Sequence, residues 1–247
     1  MRRTRCCLIV LVFSLTSLVL AADENDKGWV DLTANQSLEA FKPPYTDWVW
    51  AESVSLDEKN PRRFTFKEGK AFIVNGEKGR ARNLVTKESY QDVEAHLEFC
   101  VPKGSNSGIK FIERYEIQIL DSFGKPKEKL TGSDCGGVYP RGENQPRYHT
   151  IDEGTPPRVN ACKAPGEWQT LDIVFRAPRF DKEGKKIENA RFVKVTLNDQ
   201  VIHENVELKY PTGAAWRLVK EIPTGPVMLQ ADHGPVAFRN VRVRPVK

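Results

Sequence analysis

Helical periodicity is almost missing from this 247-residue chain. Apolar residues hardly ever recur at three- and four-residue intervals, which argues against helical packing. Only SLEAF, residues 37–41, offers a single helical turn. A second long apolar run is missing as well. The one that exists, CCLIVLVFSLTSLVL after MRRTR, is short for a membrane span, which needs about 20 such residues. With its basic start and the small residues Ala21 and Ala22 it reads as a secretory signal peptide over residues 1–21. Cleavage would leave residues 22–247 without a membrane span. The expected location is outside the cytoplasm, in the periplasm or at the extracellular cell envelope.

No charge of one sign dominates. Lys and Arg number 38 against 33 Asp and Glu, and Arg2, Arg3 and Arg5 leave with the leader, so the remaining domain is close to +2. Such a balance gives no electrostatic footprint for nucleic acid or an anionic membrane. No Pro/Gly/Ser linker or internal repeat divides the chain, so residues 22–247 read as a single domain. Cysteine is scarce. Cys6 and Cys7 fall in the leader, and Cys100, Cys135 and Cys162 remain, an odd count. Cys135 and Cys162 flank one long irregular region and are the candidate disulfide, whereas Cys100 closes a strand pattern and reads as a small buried hydrophobe. No ligand spacing of the H-E-x-x-H kind appears, so no metal site and no other cofactor is predicted. Asp232, His233, Glu116 and Asp121 keep a divalent cation open. Nothing in the chain speaks to oligomeric state.

What is present is strands. Residues 92–101 alternate Val93, Ala95, Leu97 and Phe99 against Glu94, His96 and Glu98. Residues 168–177 and 192–208 continue the pattern, the latter broken by Asn198-Asp199, a pair suited to a tight hairpin. Two more strands lie around Gly234-Pro235, with a break of alternation at Arg239-Asn240 that suggests a bulge. Many short strands separated by Gly and Pro predict an all-β sandwich or jelly roll. One irregular stretch, residues 122–168, interrupts them, and loops of such length are usually functional.

The segment NSGIKFIERYEIQILDS poses the functional question. Tyr115, Ile117 and Ile119 point one way, so Glu116 and Gln118 point the other. A three-residue turn at Ile112, Glu113 and Arg114 keeps the faces pure: it pairs Phe111 with Tyr115, Lys110 with Glu116 and Gly108 with Gln118. The polar row then either faces open solvent, where a Lys–Glu pair stabilises by only a few tenths of a kcal/mol, or lines a groove where something binds.

These pieces resemble a known family. GWVDL, LVTKESYQDVEAHLEF, NSGIKF, RYEIQILDSFG, CGGVYP, APGEWQTLDIVFRAPRFD, VTLNDQVIHENVEL and GPVMLQADHGPVAFRNVRV run in the order of the 3-keto-disaccharide hydrolase domain family and span essentially the whole chain after the leader. The direct turn in IKFIERYE resembles a short-loop, planctomycete-type subgroup. The resemblance implies a concanavalin A-like jelly roll of two antiparallel sheets with a concave carbohydrate-binding face. It also implies cleavage of glycosides already oxidised at C3, in which the ketone acidifies the C2 proton and the C1 substituent leaves.

Such chemistry needs a base, an acid or cation near the leaving oxygen, and donors for the enolate. Glu116 is the candidate base, Lys110 the group that holds the carboxylate or the enolate, and His233 a titrating group at a strand end. For His233 a turn histidine bonded to backbone is the competing reading. Asn106, Gln118 and Gln230 could bind hydroxyls, and Tyr139 could stack on a ring. Asp121 is a candidate substrate contact if the strand bends there, and a turn cap if it does not. The partner is thus a carbohydrate, an oxidised glycoside or oligosaccharide. A noncatalytic lectin-like module on the same fold remains the alternative, because fold alone does not fix function.

Overall fold

The structure, a computed structural model, describes residues 27–76 and 78–246. The leader expected at residues 1–21 lies outside the described residues. Sixteen strands are found among the described residues. The first seven are β1 (Val30–Asp31), β2 (Val49–Leu56), β3 (Phe64–Val74), β4 (Leu84–Val85), β5 (Val93–Cys100), β6 (Asn106–Phe111) and β7 (Tyr115–Leu120). Then come β8 (Gly142–Glu143), β9 (His149–Thr150), β10 (Gln169–Arg176), β11 (Arg179–Phe180) and β12 (Lys186–Glu188). The chain ends with β13 (Ala190–Leu197), β14 (Gln200–Leu208), β15 (Val227–Leu229) and β16 (Ala237–Pro245).

Twelve of these strands form two antiparallel sheets, the all-β jelly-roll architecture, while β8 pairs with β9 and β11 with β12 in two small ribbons. The larger runs β14-β13-β10-β5-β16-β3-β2, with β1 also on β16; the smaller runs β4-β15-β6-β7. Alternation explains the larger sheet directly: Val93, Ala95, Leu97 and Phe99 of β5 are buried, as are Leu171, Ile173 and Phe175 beside them in β10. The sheets meet through aromatic rings. Phe111 of the smaller sheet stacks on Phe175 of the larger at 4.9 Å between centroids and meets Phe192 edge-on at 5.8 Å. Burying each such side chain stabilises by roughly 1.5–3 kcal/mol before entropy is charged against it.

Two local expectations are met by backbone geometry. Asn198 and Asp199 take φ of 49° and 63° in the β13–β14 hairpin, as a type I′ turn requires. The register between β5 and β16 shifts between Arg239 and Arg242, with Asn240 at φ 50°. Arg239 and Asn240 both reach Glu98 from that bulge. Helix is confined to Ala34–Gln36, Lys127–Lys129 and Ala215–Leu218 among the described residues. SLEAF is not one of them: its Phe41 N–H donates to the Leu38 carbonyl in a turn, and Phe41 then bridges to Thr86. The apolar contact at Phe41 outweighs the local helical spacing. No helix among the described residues is long and apolar enough to cross a membrane.

The candidate disulfide is not formed. Cys135 and Cys162 are buried free thiols close enough to perturb one another. Their mutual influence raises the Cys135 pKa and lowers that of Cys162. Their juxtaposition needs no covalent link, because both sit in the main core cluster. Cys100 is a third buried thiol, pushed up to about 12 by burial.

Candidate functional site

The hairpin β6–β7 has the register that keeps its faces pure: Phe111 pairs with Tyr115, Lys110 with Glu116, Ile109 with Ile117 and Gly108 with Gln118. Ile112 and Glu113 take φ of 56° and 55° at its tip. For a β-branched residue this left-handed conformation is strained. Ile112 is held there by burial, against Gly225, where a Cβ would come within 2.4 Å of its Cγ2.

The polar row does not face open solvent. Glu116 and Gln118 are buried on the floor of a cavity of about 240 Å³, which Asn106, Lys110, Tyr139, Gln230 and His233 also line. That is below the roughly 300–1,000 Å³ of pockets that take drug-sized ligands, a space suited to a small one such as a single sugar ring. The cavity has a floor because the CGGVY segment pairs along the outer edge of β7. The Gln118 N–H donates to the Gly137 carbonyl, and the Gly136 and Tyr139 N–H groups donate to the Gln118 and Glu116 carbonyls. Thr212 clamps the other end: the Glu116 N–H donates to its Oγ1 at 3.1 Å, and that hydroxyl donates to the Arg114 carbonyl at 3.0 Å.

Glu116 sits under competing influences. Burial, the largest, raises its pKa, while Lys110 and, more weakly, His233 pull it back. Lys110 Nζ lies 3.1 Å from Glu116 Oε2. The space beside Gly108 is filled by this carboxylate: a Cβ on Gly108 would fall 2.4 Å from Glu116 Oε1. A side chain at position 108 and this carboxylate position therefore exclude one another. Gln230 is fixed from both sides of its peptide, since its N–H donates to the Gly108 carbonyl and its carbonyl accepts from Ser107 Oγ. The side-chain oxygens of Gln118 and Gln230 are buried without a hydrogen-bond donor. Buried polar atoms are rarely left so, and both residues line the cavity.

His233 stands at the rim, its side chain 53% exposed, with Nδ1 2.7 Å from Asp232 Oδ1. Its competing reading, a turn histidine bonded to backbone, is not the one found. Asp121 is a turn cap and does not line the cavity: its carboxylate accepts the Gly104 N–H at 2.9 Å and the Phe123 N–H at 3.3 Å. The strand ends before it can bend toward the cavity, so the substrate contact expected for Asp121 is withdrawn. Asp232, His233, Glu116 and Asp121 do not assemble, and no group of three His, Cys, Asp or Glu positioned for a metal occurs among the described residues.

Tyr148, Gly213 and Ala214 complete the lining and were not anticipated. Tyr148 donates to the Tyr139 hydroxyl at 3.2 Å, and burial together with that contact raises its pKa. Its ring lies over Gly142, where a Cβ would come within 2.7 Å of three ring-end atoms. The long loop is tied down by Arg141, whose Nε donates to Asp152 at 2.7 Å, and by Trp216, whose indole donates to the Gly142 carbonyl at 2.9 Å.

A family model described as a 3-keto-alpha-glucoside-1,2-lyase-like domain matches residues 28–244. Solved structures with the same fold include a "putative glycosyl hydrolase" from Parabacteroides distasonis ATCC 8503, 21% identical, with a TM-score of 0.58 over 89% of this chain and 84% of that one. A second from the same organism, under the same description, is 19% identical with a TM-score of 0.56, over 88% of this chain and 99% of that one. Among curated proteins none matches.

Proposed function

Because this chain belongs to the 3-keto-alpha-glucoside-1,2-lyase-like domain family, and is thereby carbohydrate-active, we propose that it cleaves 3-keto-glycosides by elimination across C1 and C2. The observation that carries the reading is a dry carboxylate of raised pKa, Glu116, paired with Lys110 on the floor of a ring-sized cavity beside two amide oxygens in need of donors.

In this reading Glu116 takes the C2 proton. The electrons of that C–H bond form the C1–C2 double bond, the C1–O bond breaks, and the leaving oxygen receives a proton. An elevated carboxylate is the stronger base for this step. Lys110, 3.1 Å from the carboxylate, places positive charge where the enolate oxygen develops. His233 at the rim supplies the leaving-group proton. Gln118 and Gln230 accept from sugar hydroxyls, which are the donors their oxygens lack. Water adding to C1 of the unsaturated product completes a net hydrolysis. Export through the leader at residues 1–21 belongs to the same proposal.

The test is incubation of the purified chain with a 3-keto-glucoside and with the unoxidised glucoside bearing the same leaving group. Release from the first only, lost in Glu116→Gln, is the expected result. Sugar binding without release, unchanged in Glu116→Gln, would establish the lectin-like reading instead.

A further inference from the structure

A second cavity, of about 210 Å³, adjoins the first, with His233 in the lining of both. Its walls come from four turns, one of them the His233–Pro235 turn between β15 and β16. Arg62 and Arg63 sit on the β2–β3 turn, Lys78 and Arg80 follow β3, and Lys103 lies between β5 and β6. The turns are locked together. The Lys103 N–H donates to the Pro61 carbonyl at 2.9 Å, Ser105 Oγ donates to the Pro235 carbonyl at 2.6 Å, and a Cβ on Gly79 would fall 2.3 Å from Pro235.

The five cations make no ion pair among the described residues, and no described carboxylate lines the cavity. Basic side chains that line other parts of the molecule include matched ones, Arg141 with Asp152, Arg158 with Glu204, Arg179 with Asp92 and Arg239 with Glu98, but here five cations converge on one hollow. In a chain so nearly neutral, five unmatched cations around one hollow repel each other, and their field draws an anion in. The neighbouring cavity holds only one ring-sized space, so a longer substrate passing His233 meets this hollow next.

We propose that this basic cavity binds the anionic group, a carboxylate or a sulfate ester, of a glycan whose reacting ring occupies the Glu116 cavity. The link to that ring rests on the function proposed above; the anion site itself does not.

Native electrophoresis of the purified chain through gels holding alginate, dextran sulfate or neutral dextran tests it, each read against a polymer-free gel. Retardation by an anionic polymer and not by dextran is expected, decreasing as salt is added. The triple variant Arg62→Gln/Arg63→Gln/Arg80→Gln should bind about tenfold more weakly, as three exposed charge contacts allow. It should cleave a small neutral 3-keto-glucoside at the original rate. Retardation by alginate alone assigns a carboxylate, and by dextran sulfate alone a sulfate ester. No retardation, an unchanged triple variant, or equal retention by single-stranded DNA overturns the proposal. A chain that cleaves the neutral keto-glucoside yet ignores both polymers loses this inference and keeps the function; Glu116→Gln should keep its retardation either way.

Discussion

Strand β7 carries two rows of side chains that are equally dry and chemically opposed. Tyr115, Ile117 and Ile119 are 0% exposed, and Glu116 and Gln118 are 3% and 2% exposed. The first row is buried against matching apolar partners in the core cluster. The second is buried against Lys110 and a cavity, with an amide oxygen left unpaired. Burial therefore does not separate core from site here; the state of the polar atoms does. A core residue is finished when folding is finished, whereas the side-chain oxygens of Gln118 and Gln230 still lack a donor.

The comparison breaks most severely at Ile117. Replacing it with Asp puts an unpaired charge into the inter-sheet core, a cost comparable with the roughly 5–15 kcal/mol that holds a domain together. No cooperative thermal transition is expected by circular dichroism. A folded Ile117→Asp protein melting like the original would show that the two rows have been assigned to the wrong faces. At Glu116 the expectation is the reverse. Glu116→Gln should keep the fold and lose about 10²–10⁴-fold in kcat/KM on a 3-keto-glucoside, the range for a general base. Retained activity would remove Glu116 from the chemistry.

Gly108 joins the rows and carries a smaller effect. Its missing Cβ is what lets the Glu116 carboxylate lie 2.4 Å from where that atom would be. Gly108→Ala must move the carboxylate, and a displacement of about 1 Å costs up to roughly 10²-fold in rate. We expect a tenfold or greater fall in kcat with a melting temperature within a few degrees of the original. An unchanged kcat would mean that the carboxylate has room to act from elsewhere.

The two rows were legible in the sequence because alternation is a local property, and one register keeps Phe111, Tyr115 and Ile117 on a single face. The same holds for Asn198-Asp199, whose turn chemistry is written in two residues. Glu116, Gln118 and Lys110 followed from that register, while Gln230 came from parity and His233 from its place at a strand end, within the chemistry that the family resemblance implies. Tyr148, Gly213 and Ala214 did not follow, since they enter the cavity on irregular segments whose course depends on remote contacts such as Trp216 to the Gly142 carbonyl. The glycine at 142, over which Tyr148 packs, was the one local sign. SLEAF failed for the same reason in reverse, a local spacing overruled by the distant bridge from Phe41 to Thr86.

The smallest effect is in stability against pH, and its sign is fixed by Glu116. Burial raises this carboxyl above its ordinary value, against the pull of Lys110 and His233. The folded chain therefore holds the proton more tightly than the unfolded one does. That contribution is complete below the unfolded carboxyl's pKa, about 4.3, and is lost as pH rises through the folded value. Each pH unit between the two costs about 1.4 kcal/mol. Glu116→Gln has no such proton to lose, although it strands Lys110 at every pH where that ammonium is charged. Chemical denaturation of both proteins from pH 4 to pH 8 should show the variant gaining on the original as pH rises, with the change concentrated above the ordinary carboxylate range. The apolar row supplies the control: Ile117→Val, which costs about 0.5–1.5 kcal/mol, should shift stability by the same amount at every pH. A Glu116→Gln difference as flat as that of Ile117→Val would mean that the carboxyl titrates normally, and the polar row would then be a buried ion pair without a base in it.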